Sequence, residues 1–258
     1  MRNKTKLPNI YLGIVMCLMY LPILLVIIFS FNESKITSVW AGFSLKWYKE
    51  LFNDSSMFDA LVNSLILGAC SSLAAGVIGT LGAVGMSRKH LKANGIIEYV
   101  STLPIMIPEI ILGMVFLVFF SLIGLPFGMT SLIIAHTTFS IPYVFMLVKA
   151  RLVGIDKSYV EAARDLGASE ARAFWDITVP LVTPAILSGM MLAFAMSFDD
   201  VIISTFVTGA KTTTLPLKIY TQLKTGISPK INAICTLMFV VTLALVIGSQ
   251  MLNKNNKK

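Results

Sequence analysis

Glu109, Asp199 and Asp200 are the residues with which this sequence could do chemistry, because each stands within a run of apolar residues. A carboxylate in hydrocarbon is costly, and the default expectation for one is a place on a solute or ion pathway. Glu109 follows Pro104 and Pro108. Pro108 has no N–H, so a helix through it deprives the Pro104 carbonyl of its donor. A free carbonyl beside a carboxylate suits an ammonium group. Neighbouring helical positions lie about 100° apart, so Asp199 and Asp200 do not both face one solute at the same depth. Ser197 adds a neutral hydrogen-bonding group nearby. Trp47, with Trp40 and Tyr48, fits a headgroup belt or offers an aromatic face to an ammonium. These three acidic groups, with no arginine within the apolar runs, favour a cationic or amine solute over an anion. The same carboxylates also fit plainer roles: Glu109 in a pair across a subunit interface, and Asp199 with Asp200 at a wetted helix end.

Other chemistries find little support. Cys17, Cys70 and Cys235 lie far apart inside apolar stretches and read as packing residues, with no metal site or disulfide framework. His90 and His136 are the only histidines, are not at ligand spacing, and read as satisfied polar residues. No H-E-x-x-H, G-x-S-x-G or phosphate-binding G-x-x-x-x-G-K-[ST] pattern occurs, so no catalytic residue is assigned and the chain does not itself cradle ATP.

The elements that must position these residues are membrane helices. Of 258 residues, 56% are hydrophobic and only 13% charged, about half the charge of an ordinary soluble domain. Such a chain would bury too little of its apolar surface to stay dispersed in water. Six continuous runs have the length to span as helices: 10–31, 61–86, 96–123, 130–148, 181–203 and 231–251. The fold class is therefore an all-α integral membrane protein of one domain, residues 1–258, in contact with lipid. The net charge of +8 sits in short clusters between runs, which orients helices and does not form a nucleic-acid face. Arg2, Lys4 and Lys6, then Arg88, Lys89 and Lys92, then Lys149 and Arg151, then Lys254, Lys257 and Lys258 all fall on one side when the spans are even in number. By the positive-inside rule that side, with both termini, is cytoplasmic. The loop 204–230 is an exception, since Lys211, Lys218, Lys224 and Lys230 lie outside; its Gly209-Ala210-Lys211 turn suggests a structured excursion. In the second run, Gly68, Ser72 and Gly76 at four-residue spacing predict close helix packing.

Between the fourth and fifth runs lies a polar segment, 156–180. Ser158 and Glu161 have capping-box spacing, Gly167 can end the helix in a left-handed conformation, and Ser169 can cap a second helix. Pro180 then starts the next span, giving a helix–turn–helix. Glu161-Ala162-Ala163, three residues, Gly167, nine residues, Ile177 and Pro180 resemble the EAA loop of ATP-binding cassette (ABC) importer permeases of type I, with Val179 where leucine is usual. The resemblance implies that Glu161, Ala162, Ala163, Arg164 and Gly167 contact an ATPase subunit. It also implies two such ATPase subunits holding ATP and magnesium, a second, non-identical permease, an external solute-binding protein and a bacterial cell membrane. This chain would bind no cofactor itself. An amphipathic connector resting on the membrane is the plainer reading of the loop.

Ser197-Phe198-Asp199-Asp200, Phe206-Val207-Thr208-Gly209, Leu215-Pro216-Leu217-Lys218-Ile219-Tyr220, Ser228-Pro229 and Asn232-Ala233 are similar to the polyamine (spermidine/putrescine) permeases of that family. That resemblance implies polyamine import. The acidic pattern alone leaves thiamine-like cations and ferric iron open, and an ion-coupled secondary transporter would also use intramembrane carboxylates.

Overall fold

The computed structural model describes residues 6–36, 39–88, 94–156, 158–226, 229–240 and residue 243. His90, Lys89, Lys92, Ser228, Arg2, Lys4, Lys254, Lys257 and Lys258 lie outside the described residues, as does the last run beyond residue 240 except for residue 243.

Among the described residues the regular secondary structure is helical, with one isolated bridge between Asn32 and Phe43. In chain order the helices are α1 (Lys6–Ser30), α2 (Lys46–Phe52), α3 (Ser55–Arg88), α4 (Asn94–Met106), α5 (Glu109–Leu122) and α6 (Met129–Val153). There follow α7 (Ser158–Asp165), α8 (Glu170–Ala173), α9 (Val179–Asp199), α10 (Ile202–Val207) and α11 (Leu215–Thr225). The last described helix is α12 (Pro229–Val240). Among the described residues, four helical stretches are long and apolar enough to cross a membrane: Pro8–Ser30, Ser55–Ser87, Met129–Val153 and Glu170–Asp199. At about 1.5 Å per residue, α3 is roughly 50 Å long and outruns the hydrocarbon.

Two compact units are formed, one by Met1–Phe58 with Ile219–Lys258 and the other by Asp59–Lys218. In the first, α1 exposes apolar side chains on all sides, among them Tyr11, Leu18, Met19 and Leu24. Such a surface is stable only against lipid or another apolar helix. The segment after α1 is ordered by Asn32, whose amide donates to the Val39 carbonyl and accepts from Ala41 N. Lys230 forms an ion pair with Asp54.

In the second unit α6 and α9 pack on each other, as do α5 and α10, and α4 lies against α6. Glycines set the spacing. A Cβ on Gly68 or Gly76 would meet the Phe194 or Met190 side chain of α9, so the small residues of α3 are where α9 approaches. Leu67, Phe116, Phe120, Leu132 and Ile203 share one core cluster; Ala75, Val144, Phe145, Val182 and Ala193 share another.

Three expectations are corrected. The third run, 96–123, is not one helix: α4 and α5 meet at a 106° bend. Pro108 donates no N–H and disfavours helical geometry at Ile107, so the chain turns there, with Pro108 extended at ψ 132°. The fifth run, 181–203, breaks at Asp200, which is extended at ψ 130° and separates α9 from α10. Its carboxylate takes the backbone N–H groups of Ile203 and Ser204, offering the chain an alternative to continuing the helix. Finally, Pro180 does not begin a separate span. α8 runs into α9 through a π-helical turn, Phe174–Thr178, so that Glu170–Asp199 is one continuous helical stretch. Val179 N donates back to Phe174 O, and Pro180, having no N–H, asks for no partner where the register shifts.

Candidate functional site

The polar segment after α6 folds into two helical arms. α7 begins one residue earlier than expected: Ser158, the expected cap, is its first helical residue, and Asp156 Oδ1 accepts from Ser158 N at 2.9 Å. That contact, with the Ser158 hydroxyl, holds the exposed Asp156 carboxyl below its ordinary value. At the other end Gly167 has φ +88°. Gly167 N donates to Arg164 O and Ala168 N to Ala163 O, the paired bonds of a Schellman motif. Ser169 Oγ then accepts from Arg172 N at 3.3 Å and starts α8. Glu161, Ala162, Arg164 and Gly167 are exposed and Ala163 is half-buried. Leu166 is 90% exposed, a large apolar side chain with nothing over it in the isolated chain. Arg151 Nε donates to Leu181 O, tying the end of α6 to the start of α9. A pocket of about 690 Å³ opens beneath α7, lined by Glu98, Lys149, Asp156, Glu161 and Arg164 among others. Glu98 and Lys149 form an ion pair between α4 and α6.

The carboxylates within the apolar runs separate into two kinds. Glu109 is exposed in the first turn of α5, at the positive end of that helix. Asp199 is exposed at the last position of α9. Asp200, the next residue, leaves the helix in an extended conformation and is buried, its carboxylate turned to Ile203 N and Ser204 N. Ser197 is buried too, and its partners are protein groups: His136 Nδ1 at 2.8 Å and Ser71 Oγ at 3.1 Å. Ser197 and Asp200 therefore do not present free groups on an open surface, as the sequence had suggested.

Trp47 sits in the other unit and is 4% exposed. Its Nε1 donates to the Asn32 carbonyl at 2.6 Å, and the Lys46 ammonium lies 5.2 Å from its ring centroid. The cation–π contact imagined for a solute is thus made by a neighbouring residue of the chain.

Of the ionisable residues inside the expected runs, sequence reasoning passed over Glu98 and gave His136 no role beyond a satisfied polar residue. Glu98 lies in the third and pairs with Lys149. His136 lies in the fourth and is fully buried, satisfied as expected of it, but at the centre of a network that includes Asp200 and Ser204. The rule that selected Glu109, an ionisable group in an apolar run, would have found both.

The fold is that of an ABC importer permease. It matches a bacterial alginate ABC transporter crystallised with an alginate-bound periplasmic protein: TM-score 0.73, 16% identity, covering 99% of this chain and 96% of that one. Residues 75–254 match the family model described as the inner membrane component of binding-protein-dependent transport systems, and the chain belongs to that family. It is 36% identical to the spermidine/putrescine transport system permease protein PotC of Haemophilus influenzae, over 97% of each chain. With the protein of the same name from Escherichia coli it shares 40% identity over 93% of this chain and 91% of the relative. The chain is accordingly a membrane-embedded transport subunit of an ABC importer and not an enzyme.

Proposed function

We propose that this permease imports polyamines of the spermidine and putrescine type. The observation that carries the reading is the 36–40% identity, over nearly the whole chain, to permeases named for those solutes. The exposed carboxylates of Glu109 and Asp199 support it, since a multiply charged amine is served by acidic groups spread along its path. An external binding protein delivers the solute. A second, non-identical permease completes the pathway, and two ATPase subunits bind ATP and magnesium and close on the α7–α8 loop. Glu161, Ala162, Ala163, Arg164 and Gly167 form the contact, and the pocket beneath α7 gives that helix room to shift against the bundle. Both termini and the loop lie in the cytoplasm, following the basic clusters.

The test is reconstitution of the full complex in vesicles, with ATP inside and labelled spermidine outside with the binding protein. ATP-dependent entry that falls in Glu161→Lys supports solute and loop together. A complex that hydrolyses ATP when its binding protein is present, yet moves neither spermidine nor putrescine, discards the polyamine.

A further inference from the structure

His136 joins three helices at the point where a fourth begins. From α6 its imidazole reaches Ser197 on α9 through Nδ1, at 2.8 Å. Through Nε2 it reaches Ser204 Oγ on α10 at 3.2 Å and Asp200 Oδ2, between the two helices, at 3.4 Å. Ser197 Oγ continues the chain to Ser71 on α3. His136, Ser71 and Ser204 have no exposed surface, and Ser197 has 3%.

With the proton on Nε2, every member is satisfied. Ser71 donates to Ser197, Ser197 donates to Nδ1, and Nε2–H donates toward Asp200 and Ser204. Asp200 also accepts from Ile203 N at 3.1 Å and Ser204 N at 2.8 Å. A buried network with all its groups paired rigidifies its surroundings, and one left partly paired is costly. What this network holds is the break after Asp199. Ser197 stands before the break and Asp200 within it, and one imidazole is bonded to both. The direction in which Asp199 leaves the end of α9 follows from that.

We propose that His136 is a positioning residue for transport: it clamps Ser197 and Asp200 across the α9–α10 break and so aims the Asp199 carboxylate. The assignment of Asp199 to the solute rests on the polyamine-import reading; the clamp itself does not.

The experiment uses the reconstituted complex with His136→Leu, His136→Gln, Asp200→Asn and the His136→Leu/Asp200→Asn pair. Glutamine keeps an acceptor and a donor on one side chain; leucine has neither. Expected is a roughly tenfold loss of solute moved per ATP hydrolysed in His136→Leu, partial recovery in His136→Gln, and little further loss in the double variant. In parallel, Asp199→Cys is introduced after replacement of Cys17, Cys70 and Cys235, and its reaction with a charged methanethiosulfonate is timed with and without His136→Leu. The clamp predicts a severalfold change in that rate, whatever the solute. An unchanged rate overturns the proposal, as does a loss of transport that simply adds to that of Asp200→Asn. Should His136→Leu not assemble, His136→Asn, whose shorter side chain does not span from Ser197 to Asp200, takes its place: a changed labelling rate supports the clamp and a wild-type rate overturns it. Wild-type complex that moves no polyamine, with labelling still dependent on residue 136, discards the solute and keeps the clamp.

Discussion

Gly189 on α9 lies against the backbone of Val144 on α6, so closely that a Cβ added to it would stand 2.9 Å from the Val144 Cα. Gly79 on α3 abuts the same turn, its missing Cβ falling 3.0 Å from Phe145 N. Two of the long helices thus approach one turn of α6 through residues without side chains. Gly189→Ala and Gly79→Ala are each expected to cost about 1–3 kcal/mol, because backbone atoms cannot step aside as a side-chain tip can. Gly85→Ala, with nothing within 4 Å, is expected to be neutral or slightly stabilising. Thermal melting of the purified protein in detergent compares the three; equal melting temperatures would refute the packing argument.

Gly167 tests the loop by a different route. A Cβ there meets nothing within 4 Å, yet φ +88° strains any other L-residue. Gly167→Ala is expected to destabilise the end of α7 by about 1 kcal/mol and to lower binding-protein-stimulated ATP hydrolysis in the complex; Gly167→Asn is expected to be milder. Full ATPase activity in the alanine variant would show that the turn does not set the coupling geometry.

Asp199 and Asp200 should separate in mutation. Asp199→Asn is expected to reduce uptake while the complex assembles normally, since the side chain is exposed. Asp200→Asn keeps one acceptor oxygen where the carboxylate supplies two to backbone N–H groups, so stability falls by about 1–3 kcal/mol and assembly with it. Yields of assembled complex, set beside uptake, distinguish the two; normal yield for Asp200→Asn would count against its role as a cap.

Trp47→Phe retains an aromatic face but leaves the buried Asn32 carbonyl without its donor. A loss of about 1–3 kcal/mol and faster proteolysis of the segment around Asn32 are expected. Unchanged proteolysis with lowered uptake would instead restore a direct role for the indole.

Asp156 gives a pH signature. Its carboxylate is favoured by the hydrogen bonds from Ser158, so its folded pKa lies below the unfolded one. The stabilisation of α7 is then fully present above the ordinary carboxylate value and lost as pH falls through the lower, folded one. The amide resonance of Ser158, followed by NMR under acidification, should titrate below the ordinary aspartate midpoint and stop doing so in Asp156→Asn. A midpoint at or above the ordinary value would contradict the cap.

Hydropathy is additive along a chain, and the number of polar groups a helix can carry into lipid is limited. The apolar runs, the polar segment 156–180 and the small-residue ridge Gly68, Ser72, Gly76 were therefore legible from residue order alone. So was Gly167, where a particular backbone angle calls for a particular residue. The exposed carboxylates Glu109 and Asp199 could also be picked out, because ionisable groups in apolar surroundings are rare for energetic reasons. The bend at Pro108 and the break at Asp200 were hidden inside continuous apolar runs, where composition does not change as direction does. The pairing of His136 with Ser197, 61 residues apart, and of Ser71 with Ser197, 126 apart, depends on which helices meet and at what depth. Only packing decides that, through Gly79 and Gly189 against α6, and it is packing that turned Ser197 and Asp200 inward and left Asp199 exposed.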